Sequence, residues 1–528
     1  MEYKKPVLLV PLVNTVLLVA IVLVLPLLIP ILALFQVHRQ IVAHLLAAKY
    51  GSSFRGLLEG SDVVWAAQTR SSKAMANVLL LFEKPARATL GSDELLEIFR
   101  NRLKRHQSDE AYQKMFWERR FQWGYYFWVE QGLPLWADRY VKELDALPGH
   151  GCLSRKQLCT LIGSISSRDC NGTSWELLVG SQPLRSQAES GVMLHPVLFR
   201  YHHSIADGIA IFRLFCKDFL DSTGTSEQHV WNPDAVHTST SMKRFITWRN
   251  ILQMAFRSPR FLINEILLKR EHSPFFGTEP SGEKIVCWAG ADSEHVKGTT
   301  PVINVIKNIK RSLDGSSFTD VFLTAFAMSL RAYCTRKGVP VPPSVTIGLM
   351  QRFQRESKVI QLRNFSTAVF KTLPVAELPV GASSVATSAE LRSQINAVKG
   401  SKEAVQASAD ALLTHLSVSY LPELLPVPIV RALFARSKFT IALSNIPAFG
   451  DSVSVENYIL KEATFWVPNI ERNMFGLTIL TMDGRLQLGA IADRRIISSE
   501  RELECLLCDT LQELRNFGEI LHKNQLVL

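Results

Sequence analysis

From Val7 to Phe35 the chain carries no charged residue. As a helix, about 29 residues of this kind would measure ~43 Å, more than the ~30 Å of a bilayer core. A secretory signal has an apolar region of only ~7–15 residues, and no small-x-small cleavage site follows here. Pro26 and Pro30 predict a kink in the second half, which tilt or a re-entrant hairpin accommodates. Lys4 and Lys5 flank one side, Arg39 and Lys49 the other, so the positive charges set no orientation. Residues 1–45 therefore read as a membrane anchor, spanning or hairpin. Nothing later in the chain is as long and apolar, which excludes a polytopic transporter.

Beyond the anchor the pattern alternates between strand and helix periods. In residues 46–225, Ala74–Glu83, Trp175–Val179 and Val192–His203 read as strands. Ser92–His106 and Asp207–Leu220 read as amphipathic helices. Residues 301–528 repeat this texture, with a helix over Phe318–Lys337 and a hairpin over Met474–Ile491 turning at Asp483-Gly484. The expectation is an α/β protein of two domains, with mixed sheets flanked by helices. Residues 226–300 form a basic linker. Within it, Ser241–His272 sets seven Lys and Arg against Glu265 and Glu271, with Phe245, Trp248, Ile251 and Phe256 at helical spacing. That fits either a helix in a membrane interface or one packed on its own domain.

Composition sharpens this picture. Of 528 residues, 47% are hydrophobic and 20% charged, which excludes wholesale disorder, collagen and a disulfide scaffold. The length suits two hydrophobic cores. The net charge of +11 suits phosphate-bearing ligands and anionic membrane surfaces. Neither basic stretch carries a nucleic-acid module or a Gly-rich phosphate loop, so nucleic acid is not an expected partner. Of the eight cysteines only Cys505 and Cys508 are paired in spacing, on an amphipathic helical pattern, and no metal site is expected. Asn171 and Asn364 open glycosylation triplets that matter only if the body faces a lumen.

The sharpest local feature is Tyr201-His202-His203-Ser204-Ile205-Ala206-Asp207-Gly208, between a strand and a helix. On a strand, Val197, Phe199, Tyr201 and His203 share one face while His202 takes the other. One histidine can thus point into a cleft while its neighbour supports the structure. Asp207 stands where a carboxylate caps the following helix, and Gly208 permits close backbone packing.

This His-His-x-x-x-Asp-Gly string resembles the acyl-CoA-dependent acyltransferase superfamily. Leu443-Ser444-Asn445-Ile446-Pro447-Ala448 is similar to the Ser-Asn-Val-Pro-Gly segment of its wax ester synthase/diacylglycerol acyltransferase family, with Ala448 where glycine is usual. Phe318-Thr319-Asp320-Val321 resembles that family's Val-Asn-Asp-Val, with threonine for asparagine. Arg363-Asn364-Phe365 sits where the family has a Gly-Asn pair before a strand. Trp65, Met75 and Trp175-Glu176-Leu177 echo its N-terminal positions, whereas an Asp-Phe-Gly-Trp-Gly segment, expected of plant BAHD enzymes, is missing.

The resemblance implies two chloramphenicol acetyltransferase-like domains and an O-acyltransferase. It would move a long-chain acyl group from acyl-CoA, a co-substrate, to diacylglycerol or a fatty alcohol, with no cofactor. It implies His203 as general base, His202 as an accessory residue, and Asp207 with Gly208 as structural. Ser444 and Asn445 either stabilise the oxyanion or shape the crossover between domains. Ser204 is not an expected nucleophile, because direct transfer needs no acyl-enzyme. The alternatives are a CoA-dependent enzyme with a small hydroxyl or amine acceptor, and a non-catalytic lipid-binding relative. The expected location is a membrane, the endoplasmic reticulum with a cytosolic body, or alternatively the plasma membrane or lipid-droplet surface. The sequence leaves the oligomeric state open.

Overall fold

The computed structural model describes residues 9–525 apart from 223–247, 249–272, 291–300 and shorter stretches such as 85–91, 186–190, 353–358 and Asn171. The basic segment Ser241–His272, except for Trp248, and the acceptor Asn171 thus lie outside the described residues.

Helix α1 (Leu9–Tyr50) runs through Pro26 and Pro30 instead of ending at them. It also continues past residue 45, where the anchor was expected to stop. The reason is packing. Its last turns bury Val42 and Leu46 against Leu57, Tyr125, Phe127 and Val129, so these turns belong to the body. Within the described residues, this is the one helix long and apolar enough to cross a membrane.

Three sheets follow. A small one orders β1 (Phe54–Leu57), β4 (Tyr125–Glu130) and β3 (Trp117–Gln122). The largest orders β5 (Val141–Leu144), β6 (Trp175–Gly180), β8 (Met193–His202), β2 (Met75–Glu83), β15 (Tyr458–Trp466), β14 (Val453–Val455) and β9 (Asp221–Ser222). Beside it β7 (Leu184–Arg185) pairs with β8. The third orders β10 (Lys284–Gly290), β17 (Arg485–Asp493), β16 (Phe475–Met482), β13 (Ile441–Phe449), β11 (Ser344–Arg352) and β12 (Ser366–Pro374).

Helices α2 (Asp62–Ala66), α3 (Ser92–His106) and α5 (Gly208–Asp218) share a core with the largest sheet, through residues such as Phe99, Leu214 and Val197. Helices α4 (Arg155–Ser166), α6 (Val302–Ser312), α7 (Phe318–Lys337) and α8 (Ser388–Lys399) pack mainly with the third, as does α11 (Glu500–Gln525). Helix α9 (Ala404–Leu424) lies against β12 and α2, and α10 (Val427–Phe434) buries Val427 and Val430 in the core beside the largest sheet. The protein is thus a mixed α/β structure with sheets flanked by helices.

The sheets do not divide where the sequence does at 225 and 301. Strand β10 comes from the segment read as linker. β14 and β15, from the C-terminal half, join the N-terminal sheet, β15 pairing antiparallel with β2 over Ile459–Trp466. A period-2 pattern marks a strand without saying which sheet edge it completes. The crossing matters for the site: β13, β15 and β8 all border one cavity.

Candidate active site

His203 follows directly on β8. Its amide donates to the Ala74 carbonyl (2.8 Å) and its carbonyl accepts from Asn364 Nδ2 (2.7 Å), so the main chain is clamped from both sides. The imidazole stacks on Trp65 with ring centroids 3.9 Å apart. Nδ1 is buried, which leaves Nε2 as the nitrogen able to meet a ligand. The ring lines a cavity of ≈ 280 Å³ whose walls are largely apolar, among them Leu80, Phe199, Phe215, Phe370, Phe465 and Trp466. It is open to the cavity yet deep in the protein. Desolvation therefore holds its pKa below the ordinary histidine value, against the upward pull of Asp207. A neutral imidazole at neutral pH is a competent proton acceptor.

His202 takes the opposite face. Nε2 lies 3.0 Å from Gln68 Oε1, while Nδ1 receives the Ser204 amide (3.1 Å) and Arg119 Nη1. With donors on Nδ1 and an acceptor on Nε2, the hydrogen bonds assign the neutral Nε2–H tautomer. Burial first, then Arg119, holds its pKa well below the usual value. Arg119 also donates to Ser204 Oγ (3.0 Å), and burial lowers its own pKa to about 10. Ser204 is fully buried, and its hydroxyl is engaged by Arg119 and His202.

Asp207 is the N-cap of α5, Oδ1 accepting from the Ala210 amide at 3.0 Å. Oδ2 accepts from the Phe365 amide (3.0 Å) and Ser366 Oγ (3.2 Å), with Arg352 Nε 3.8 Å away. The carboxylate ties the motif to the loop before β12. Gly208 allows a close approach: a Cβ there would meet Ile446 Cδ1 of β13 at 3.2 Å, tighter than an ordinary contact. The motif is thereby pressed onto β13, whose Ser444 and Asn445 line the same cavity as His203.

Asn364, met in the sequence as a glycosylation triplet, is buried and committed. Its Nδ2 also donates to Asp62 Oδ1 (2.8 Å), and Asp62 pairs with Lys114 (2.7 Å). This Asp62–Asn364 latch holds α2, the loop before β12 and the His203 main chain together. Sequence reasoning noted Asn364 and Trp65 without placing them at His203, and missed Asp62, Lys114, Arg119 and Arg352. None of these four sits in a pattern of its own, because the fold gathers them from distant segments. The Thr319-Asp320 segment starts α7, Asp320 closing a capping box with Ser317 and pairing with Lys371 of β12. All eight cysteines are free, with Cys505 and Cys508 exposed on α11.

Residues 375–515, which include β13 and the Ser444-Asn445 segment, match the family model of the WS/DGAT C-terminal domain. That segment is therefore similar to the C-terminal domain of wax ester synthase/diacylglycerol acyltransferases. No curated protein matches the sequence. Among solved structures, the wax ester synthase/diacylglycerol acyltransferase from Marinobacter aquaeolei VT8 is similar in fold. It is 15% identical with a TM-score of 0.55, over 88% of this chain and 100% of that one. Trichothecene 15-O-acetyltransferase TRI3 from Fusarium sporotrichioides is 13% identical, with a TM-score of 0.55 over 88% and 94%. The first condensation domain of the calcium-dependent antibiotic synthetase is 12% identical, with a TM-score of 0.50 over 88% and 96%. At these identities the three likenesses are of fold. The likeness to wax ester synthase/diacylglycerol acyltransferases in sequence is that of residues 375–515.

Proposed function

We propose that the protein is an acyl-CoA-dependent O-acyltransferase moving a long-chain fatty acyl group to a lipid alcohol, diacylglycerol or a fatty alcohol. The products would be triacylglycerol or wax ester. The observation that carries this reading is a desolvated, neutral His203 on the wall of an apolar cavity between two sheets. A cavity of that lining favours an acyl chain over a small polar acceptor.

His203 Nε2 takes the hydroxyl proton as the alcohol oxygen attacks the thioester carbonyl carbon. The carbonyl π pair moves to oxygen, where Ser444 Oγ and Asn445 Nδ2 are the donors available on the β13 wall. When the carbonyl re-forms, the carbon–sulfur bond breaks and the CoA thiolate leaves with the proton held by His203. Imidazole returns to its neutral state. No acyl-enzyme forms, consistent with the engaged hydroxyl of Ser204.

The α1 helix would anchor the enzyme where its lipid acceptor is dissolved. Because acyl-CoA is a cytosolic metabolite, the body would face the cytosol, at the endoplasmic reticulum. The test is to supply labelled long-chain acyl-CoA with a panel of diacylglycerols, fatty alcohols and small hydroxyl or amine acceptors. Free CoA thiol and a lipid ester in equal amounts are expected. Product with small acceptors alone would give the runner-up reading, and no product would leave a lipid-binding relative.

A further inference from the structure

The β3–β4 hairpin turns at Trp123-Gly124, both with positive φ (50° and 87°), between the paired residues Gln122 and Tyr125. This two-residue turn ordinarily takes Asn-Gly, and a bulky aromatic residue at its first position is strained there. The strain places a tryptophan, 45% exposed, at the tip, with Phe121 (49% exposed) beside it. Folding alone would not select that residue.

The tip is held in place. The Gly124 carbonyl accepts from the Val427 amide of α10 (2.8 Å). The Tyr125 hydroxyl lies 3.1 Å from the Leu424 carbonyl of α9 and 3.4 Å from the Phe35 carbonyl of α1. Lys49 Nζ of α1 donates to Gln122 Oε1 (3.2 Å) and lies 5.8 Å from the Trp123 ring centroid. The hairpin is therefore braced against the foot of α1. There α1 buries apolar residues on one side and exposes others on the opposite side, among His38, Gln40 and His44. Val42 and Leu46 are buried against the body, while Val37, Ile41 and Leu45 on the outer side are half exposed.

We propose that the hairpin tip and this outer face of α1 form a docking surface that lies in the headgroup region of a phospholipid bilayer. Three observations favour lipid as the occupant. The exposed stripe continues without a break into the uncharged part of α1. Aromatic side chains beside Lys49 and Arg120 make the amphipathic mixture suited to a membrane–water boundary. Lys49 also has no carboxylate partner among the described residues. The surface adjoins α10, whose Arg431 lines the His203 cavity, so docking would set that cavity beside the lipid phase. The proposal rests on the reading of α1 as a membrane anchor.

The test uses the full chain reconstituted in vesicles of phosphatidylcholine brominated near the headgroup end of its acyl chains. Helix α1 contains no tryptophan, so bromine quenching relative to unbrominated vesicles reports other tryptophans that meet lipid. Trp123→Phe, which keeps an aromatic tip, should lose the greater part of the quenching seen in the wild type. Equal quenching of both proteins, with the chain floating with the vesicles, would overturn the docking surface while leaving the anchor intact. A chain that does not float would overturn the anchor and the docking together. An interchain disulfide appearing only in Trp123→Cys would show a second copy on this surface and also overturn the proposal.

Discussion

The two adjacent histidines differ in what surrounds them, and the separate roles proposed for them rest on that difference. His203 keeps one ring nitrogen towards an apolar cavity, whereas both nitrogens of His202 are engaged by Gln68, Ser204 and Arg119. Both are held below the ordinary pKa of ~6.5 by burial. Below that pH the unfolded chain takes up protons that the folded one refuses, so stability is lost as pH falls. Urea midpoints should be level above pH ~6.5 and decline beneath it, with a shallower decline in His202→Gln. Asp207→Asn sets a finer trap. Its oxygen can still cap α5, but its amide nitrogen then faces the Phe365 N–H, donor against donor. A loss of ~1–3 kcal/mol is expected, read as a lower melting temperature alongside any loss of activity. An unchanged melting temperature would show that Asp207 does not hold the loop.

At the scale of elements, local chemistry made some pieces legible in the sequence. Helix α7 ends where Phe318–Lys337 was expected. Ser317 and Asp320 cap its start, and Gly338 in the left-handed conformation closes it. Ser92–His106 was marked by acids in its first turn and bases in its last, and the β16–β17 hairpin by its turn residues. The strand exchange was not legible, because nothing local to Tyr458–Trp466 says that its partner is β2. For the same reason Asn364 looked like a surface acceptor until the fold brought Asp62 and His203 to it. Strand β8 also carries a buried network on the face away from the cavity. Arg200 meets Glu176, Asn77 Oδ1 (3.1 Å) and the carbonyls of Ile165 and Arg168 (2.6 Å each). Arg200→Leu leaves Glu176 buried with Lys142 as its remaining cation, at a cost of ~3–5 kcal/mol in chemical denaturation. Because Arg200 faces away from His203, any properly folded fraction should keep its activity.

The whole molecule is organised around a cavity that neither half could build alone. The largest sheet brings His203, and the third brings Ser444 and Asn445. The crossing of β14 and β15 locks the two sheets together. Helix α1 divides at about Leu32 into a body-packed part and an exposed apolar part. Removing residues 1–31 should therefore release the protein from carbonate-washed membranes without lowering its melting temperature. Activity on long-chain acceptors should fall more than activity on short soluble ones. The most direct measurement is single-turnover transfer of a labelled acyl group from acyl-CoA by His203→Ala, with its melting temperature compared to wild type. The account predicts a folded protein whose transfer rate falls by about 10²–10⁴. A folded variant transferring at a near wild-type rate would contradict it.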